Sequence, residues 1–160
     1  MATTYDKIAT VSISGTSTTT FSSIASSWTD LRLVFTGSLA SSGRMAIQYN
    51  GDTGTNYSQT KLWGDGTSAQ SAQNSNQNFI YLGATGTTNI RFDSFDIFSY
   101  AGSTYKTCLA TESIDANGSG ETMSLVGLWR STSAITSITL YNFNGGNISG
   151  SATLYGIKAA

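Results

Sequence analysis

The stretch Asp30-Leu-Arg-Leu-Val-Phe35 places an apolar side chain at every second residue. Successive side chains of a β-strand point to opposite faces of its sheet, so Leu31, Leu33 and Phe35 share one face. This alternation is typical of a strand that packs one face onto a hydrophobic core. The hexapeptide therefore predicts a strand of a half-buried sheet.

Runs of the same kind lie on both sides of this stretch, separated by turn signals rich in Gly, Asn, Asp and Ser. The further predicted strands are Ile8–Ile13, Arg44–Tyr49, Tyr57–Trp63, Asn78–Leu82, Arg91–Tyr100, Tyr105–Ile114, Glu121–Arg130, Ile135–Phe143 and Ser151–Ile157. The turns between them include Asn50-Gly51-Asp52, Gly64-Asp65-Gly66, Ala101-Gly102-Ser103, 117–120 and 144–146. The pattern predicts an all-β fold, an antiparallel β-sandwich of about eight to eleven strands with almost no helix.

The apolar phase of each run predicts which residues form the core. Those expected to be buried are Leu31, Leu33, Phe35, Ile47, Phe95, Leu125 and Leu140. Within 91–100 the apolar residues Phe95, Ile97 and Phe98 change phase, which predicts a β-bulge.

Two segments do not fit the strand pattern. Phe21, Ile24, Ala25 and Trp28 have helical spacing, which predicts one helical turn over an edge of the sandwich. Residues 66–78 are a low-complexity run of Gly, Thr, Ser, Ala, Gln and Asn. They are interpreted as a solvated surface loop or, alternatively, as an arm that becomes ordered against a neighbouring subunit.

Composition limits the partners. Residues 1–160 show no repeat, linker or change of composition, so one domain is expected. Charged residues make up 11% of the chain, and the net charge is −1, which favours assembly over self-repulsion. The eight Lys and Arg residues are scattered, so no nucleic acid is expected as a partner. The polar N-terminal residues predict no signal peptide, and no apolar run predicts a membrane span.

Catalysis has little support in the sequence. The chain has no histidine, so no serine has the usual general base. The lysines Lys7, Lys61, Lys106 and Lys158 show no spacing that suggests a Ser–Lys dyad. Asp93 and Asp96 lie on opposite faces of a strand, unless the bulge intervenes, and they are interpreted as solvent-facing charge or as a partner for Arg91. The chain is therefore not expected to be an enzyme.

Ligand sites are equally sparse. The loop 50–56 offers oxygen ligands that suit calcium, but it lacks the EF-hand pattern and is also an ordinary turn. Trp63, at a strand end beside Gly64, is the best candidate for an exposed aromatic that stacks on a sugar. Cys108, the single cysteine, is expected to be a small buried hydrophobe. No catalytic, cofactor-binding or metal-binding residue is assigned, and no cofactor is expected.

Several segments resemble a family of small bacteriophage virion proteins that have a jelly-roll-like sandwich. The matching segments are Thr29-Asp-Leu-Arg-Leu-Val34, 49–58, Tyr100-Ala-Gly-Ser-Thr-Tyr-Lys106, 127–140 and 150–158. Each consists of strand plus turn. The resemblance implies a structural protein of a phage virion, assembled in the host cytoplasm.

Two functions are compatible with this resemblance. The first is a capsid cement or decoration protein that binds and stabilises the major capsid protein lattice, expected as a homotrimer. The alternative is a tail or fibre-tip module that binds a host surface glycan. The segments expected to reach neighbouring subunits are 1–7, 66–78 and 115–121.

Overall fold

The computed structural model describes residues 4–40, 43–83 and 89–158, and these form an all-β protein. The twelve strands of the described chain are β1 (Tyr5–Thr16), β2 (Thr18–Phe21), β3 (Asp30–Leu39), β4 (Met45–Tyr49), β5 (Tyr57–Gly64), β6 (Ala69–Gln77), β7 (Ile80–Tyr81), β8 (Arg91–Phe98), β9 (Lys106–Ile114), β10 (Glu121–Trp129), β11 (Ile138–Asn142) and β12 (Ile148–Ile157). The sequence prediction of an antiparallel β-sandwich is confirmed. The strand count exceeds the expected range by one, because β2 and β6 were not predicted as strands.

The strands form an eight-stranded sheet, in the order β1-β12-β3-β8-β9-β10-β5-β6, and a four-stranded sheet, in the order β2-β11-β4-β7. The antiparallel pairs β1–β12, β2–β11, β3–β8 and β4–β7 fall alternately in the two sheets. This is the winding of a jelly roll, in which a folded ribbon of paired strands wraps into two facing sheets. The resulting half of the large sheet, β1-β12-β3-β8, is called the jelly-roll half.

The remaining strands, β9-β10-β5-β6, widen the large sheet on one side and are called the extension. The Gln59 side chain joins this part to the small sheet. Its Oε1 accepts a hydrogen bond from the Tyr81 amide at 2.9 Å, and its Nε2 donates to the Tyr81 carbonyl at 3.3 Å. Gly127 lets the sheets approach closely, because a Cβ at this position would lie 2.7 Å from the Ile80 side chain.

The core lies between the sheets and contains every residue that the alternation predicted. Leu31, Leu33, Phe35, Ile47, Phe95, Leu125 and Leu140 are all buried. An aromatic group of Tyr49, Tyr57 and Trp129 fills the space beneath the extension, with ring centroids 5.5 to 6.2 Å apart. The predicted turn at Asn50–Gly51 is present, and both residues have positive φ angles, which Asn and Gly adopt more readily than other residues.

Two sequence predictions are wrong in the first half of the chain. Residues 22–29 contain no helical turn. Ser23 adopts a φ of +57°, and the Ile24 amide donates to the carbonyl of Thr136, so Phe21 and Ile24 are buried by an extended loop. Most of the segment 66–78 is not a loop either, because 69–77 pair with β5 as the edge strand β6.

The predicted bulge in β8 is also absent, since this strand pairs with β3 and β9 without any register shift. The apolar residues change phase because Phe92 and Phe98 lie on the outer face, while Arg91 and Asp93 take inner positions. Asp93 is completely buried, so the prediction that it faces solvent is wrong, and the prediction that it pairs with Arg91 is confirmed.

Candidate interaction surface

The extension has its charged side chains on the inside. Its four strands contain four charged residues, namely Lys61, Lys106, Glu112 and Glu121, and all four occupy inner-facing positions. The first three are buried, and Glu121 is partly buried. Half-buried sheets normally place charge outside and apolar side chains inside, so this part of the molecule reverses the ordinary arrangement.

The opposite side of the same strands carries no charge. This uncharged face consists of the outward residues Ser58, Thr60, Leu62, Ala69, Ser71, Gln73, Thr107, Leu109, Thr111, Ser113, Thr122, Ser124, Val126 and Leu128. Leu62, Leu109 and Val126 are 63%, 48% and 41% exposed. Large apolar side chains thus stand in solvent on a background of hydroxyl groups.

The exposed apolar residues are neighbours across the strands. Val126 lies directly opposite Leu109 in the β9–β10 pair. Leu62 lies opposite Ser124, and so it is the diagonal neighbour of Val126. Phe98 continues the row on β8, where it lies opposite Thr107. The row crosses four adjacent strands, and a grouped apolar patch of this kind marks an interaction site more often than scattered residues do.

Two recesses indent the uncharged face. A recess of about 620 Å³ lies beside Leu62, Thr111 and Ser124. A second, of about 420 Å³, lies beside Thr60 and Val126. A third, of about 540 Å³, lies outside the uncharged face, beyond the strand ends, where Asp65, Asp115 and Glu121 are among its lining residues. Side chains of a partner can therefore insert into the first two recesses.

The buried charges on the inner side are compensated mainly by Arg91. Its Nε and Nη2 donate to both oxygens of Asp93 at 2.8 and 3.0 Å, and Nη2 also donates to Glu112 at 2.7 Å. Asp93 and Glu112 lie directly opposite each other in the β8–β9 pair. Burial raises the pKa of Asp93 to about 6, although Arg91 opposes the shift. The group is closed off from solvent, so its chemistry is that of a structural ion cluster.

The lysines of the extension are held separately. Lys106 Nζ donates to the carbonyls of Gly102 and Thr104 at 2.6 and 2.5 Å, and burial lowers its pKa. Lys61 Nζ lies 4.1 Å from the centroid of the Tyr81 ring, a cation–π contact. Lys158, outside the extension, pairs with Asp6 at 2.7 Å.

The residues that the sequence suggested for binding calcium or a sugar make contacts within the fold. The Asp52 carboxylate accepts hydrogen bonds from Trp129 Nε1 at 2.7 Å, from Asn56 Nδ2 and from the Gly54 amide. These hydrogen bonds lower the pKa of Asp52, although partial burial opposes them. Trp63 is half-buried, with Lys61 Nζ 5.5 Å from its ring centroid.

Cys108 is a free, completely buried thiol whose pKa burial raises to about 12. Asp96 pairs with Arg32 on the outer side of the jelly-roll half at 3.5 Å. Across 4–40, 43–83 and 89–158, no group of three or more His, Cys, Asp or Glu side chains is placed to hold a metal. The same residues include no helix long and apolar enough to cross a membrane.

A second surface feature was missed by the sequence analysis. Phe79, Tyr81, Tyr141 and Phe143 form a half-buried aromatic cluster on the outer side of the small sheet. The rings of Phe79 and Phe143 are stacked with centroids 4.8 Å apart. The available signal was the alternation of 79 with 81 and of 141 with 143, which puts each pair on one face.

Comparison with known proteins identifies no relative. No family model matches the sequence, no curated protein is significantly similar to it, and no solved structure matches the chain.

Proposed function

We propose that this protein is a non-enzymatic structural protein of a bacteriophage virion, a capsid decoration protein that docks on the major capsid lattice. The uncharged face is the observation that carries the proposal. The resemblance of five sequence segments to small phage virion proteins supports the phage context. The jelly-roll winding is compatible with it, since viral capsid proteins use this fold widely.

The chemistry of the uncharged face suits docking on a preformed protein surface. Charged residues are depleted at the centres of protein interfaces, because burying an unpaired charge costs several kcal/mol. A partner that covers Leu62, Leu109 and Val126 removes apolar area from water and buries no charged residue of the extension. The surrounding hydroxyl groups can exchange water for hydrogen bonds to the lattice.

We further propose that the protein acts as a homotrimer on the shell, at three-fold or local three-fold positions. The low net charge supports close association of copies, and soluble homo-oligomers form closed symmetric assemblies. The experiment is to count copies per purified virion by quantitative mass spectrometry. Hundreds of copies are expected for a head protein. A handful would replace this proposal with the tail alternative, and a complete absence from virions would refute both.

The tail alternative is a fibre-tip module that binds a host surface glycan, and the aromatic cluster of Phe79, Tyr81, Tyr141 and Phe143 favours it. Aromatic rings grouped at a surface can stack on sugar rings, and Arg44 lies 5.7 Å from the Tyr81 ring. The test is binding of oligosaccharides released from the host surface polysaccharide, followed by titration calorimetry. Binding that is lost in Phe143→Ala but kept in Leu109→Ala would support this alternative over docking through the uncharged face.

A further inference from the structure

Within 4–40, 43–83 and 89–158, no strand pairs with the outer side of β6, and this end of the large sheet is called the open edge. The strand has nine residues, Ala-Gln-Ser-Ala-Gln-Asn-Ser-Asn-Gln, and it contains no charge, proline or glycine. One side pairs with β5, and the sheet ends at the other side. Proteins normally protect such an edge with a lysine, a proline, a bulge or a covering segment, because an exposed edge recruits other strands.

The opposite edge of the same sheet, at β1, has two of these protecting features, charge and bulges. Strand β1 has Asp6 and Lys7 near its start and two register shifts, at Lys7/Ala9 and Ser14/Thr16. In β6 the single shift lies opposite Tyr57/Gln59, so 69–74 form a regular, uninterrupted edge. The large sheet therefore has a protected edge at β1 and the open edge at β6.

The open edge is also held rigidly. Asp65 Oδ1 accepts hydrogen bonds from the amides of Thr67 and Ser68, both at 2.8 Å, in the turn between β5 and β6. Further along, the Asn74 side chain lies within hydrogen-bond distance, 3.3 Å, of the Tyr81 hydroxyl. The strand is thus fixed in an extended form before any partner arrives, which lowers the entropic cost of pairing.

We propose that β6 pairs antiparallel with β6 of a second copy of this chain. An isologous contact brings identical surfaces together, so any charge on the strand would face its own copy. β6 has no charge, and its Ser, Gln and Asn side chains both donate and accept hydrogen bonds, so it is complementary to itself.

The geometry of this pairing has a consequence for the uncharged face. Antiparallel strands within one sheet are related by a two-fold axis perpendicular to it, so the outer faces of both copies lie on the same side. The two eight-stranded sheets then join into one sheet of sixteen strands, and the two extensions form a continuous uncharged face at its centre. On a shell, the same axis would stand normal to the surface, between decorated three-fold positions. The pairing itself does not rest on the proposed function and is expected of the purified chain.

The first experiment measures the mass of the purified full chain by sedimentation equilibrium. We expect an even-numbered assembly whose mass falls by half in the double variant Ser71→Lys/Gln73→Lys, which places lysines on the open edge. The matched control Ser12→Lys/Ser14→Lys adds the same charge to exposed positions of β1 and should leave the mass unchanged. A monomer, an odd-numbered assembly, or equal masses of wild type and the β6 variant would overturn the proposal.

A second experiment locates the contact. Single cysteines placed in turn at positions 69 to 74 should form disulfide-linked dimers under mild oxidation at the one position that the two-fold axis sets opposite itself, since its two Cα atoms then lie within disulfide reach. The buried Cys108 does not compete. Cross-linking at Ser12→Cys on β1 with none at β6 would place the contact at the other edge and overturn the proposal.

Discussion

Strand β3 and the extension distribute their charge in opposite ways, and β8 between them follows the extension, with Arg91 and Asp93 inside. In β3, the inner residues Leu31, Leu33 and Phe35 are apolar, while Arg32 forms an ion pair with Asp96 outside. In the extension, the four charged residues lie on the inner side among core residues such as Leu125, while the outer side carries no charge and exposes Leu62, Leu109 and Val126. Exposed leucines contribute little to the stability of the free chain, so folding alone does not explain why the extension places them outside.

The largest expected effect comes from the buried ion cluster that links β8 to the first strand of the extension, β9. Arg91→Met should lower the free energy of unfolding by about 3–5 kcal/mol, because Asp93 and Glu112 then lose a buried partner. The matched control is Arg32→Met, whose ion pair with Asp96 is partly exposed and should contribute at most about 1 kcal/mol. Urea denaturation measures both. Equal losses would contradict the different contributions assigned to the buried inner cluster and the exposed outer pair.

The next comparison concerns two leucines. Leu33→Ala removes a completely buried side chain from the jelly-roll half and should cost about 2–5 kcal/mol. Leu109→Ala removes a half-exposed side chain from the uncharged face and should change the stability by no more than about 0.5 kcal/mol. A large loss in Leu109→Ala, measured on the isolated chain, would show that this residue serves folding instead of binding.

A smaller effect is expected from pH. The pKa of Asp93 is raised by burial to about 6, so the folded state binds a proton more tightly than the unfolded state does. Asp93 therefore contributes about 2–3 kcal/mol of stability below its unfolded pKa, and this contribution is lost as the pH rises from about 4 to 6. Glu121, whose pKa burial also raises, contributes in the same direction. Urea denaturation across this range should show a slope that is reduced in Asp93→Asn, and an unchanged slope would contradict the assignment.

Much of the fold followed from the sequence, because side-chain alternation reports directly on which face of a strand is buried. All seven predicted core residues are buried, and most strands lie where the pattern placed them. The pattern failed at β6, where Ser, Gln and Asn give no apolar period, and pairing with β5 alone makes the strand. In β8 the strand was predicted correctly but the bulge was not, because an inner Arg91 and an outer Phe92 reverse the usual apolar signal.

The candidate surface was harder to predict for a physical reason. Alternation in 106–114 and 121–129 separates two sets of residues, and the predicted burial of Cys108 and Leu125 selects the inner set. Lys106, Glu112 and Glu121 share a face with these core residues. What the sequence does not show is how buried charge on this face is tolerated, because Arg91 reaches Glu112 only in the folded structure.

The central claim is that the uncharged face is the side that docks on the capsid lattice. The most direct measurement is the number of copies per virion for wild type, for Leu109→Lys/Val126→Lys and for Ser12→Lys/Ser14→Lys, each first shown to fold by circular dichroism. The account predicts that lysines on the uncharged face remove the protein from virions, while the same added charge on β1 leaves its copy number unchanged. Full occupancy by the Leu109→Lys/Val126→Lys variant would contradict the claim.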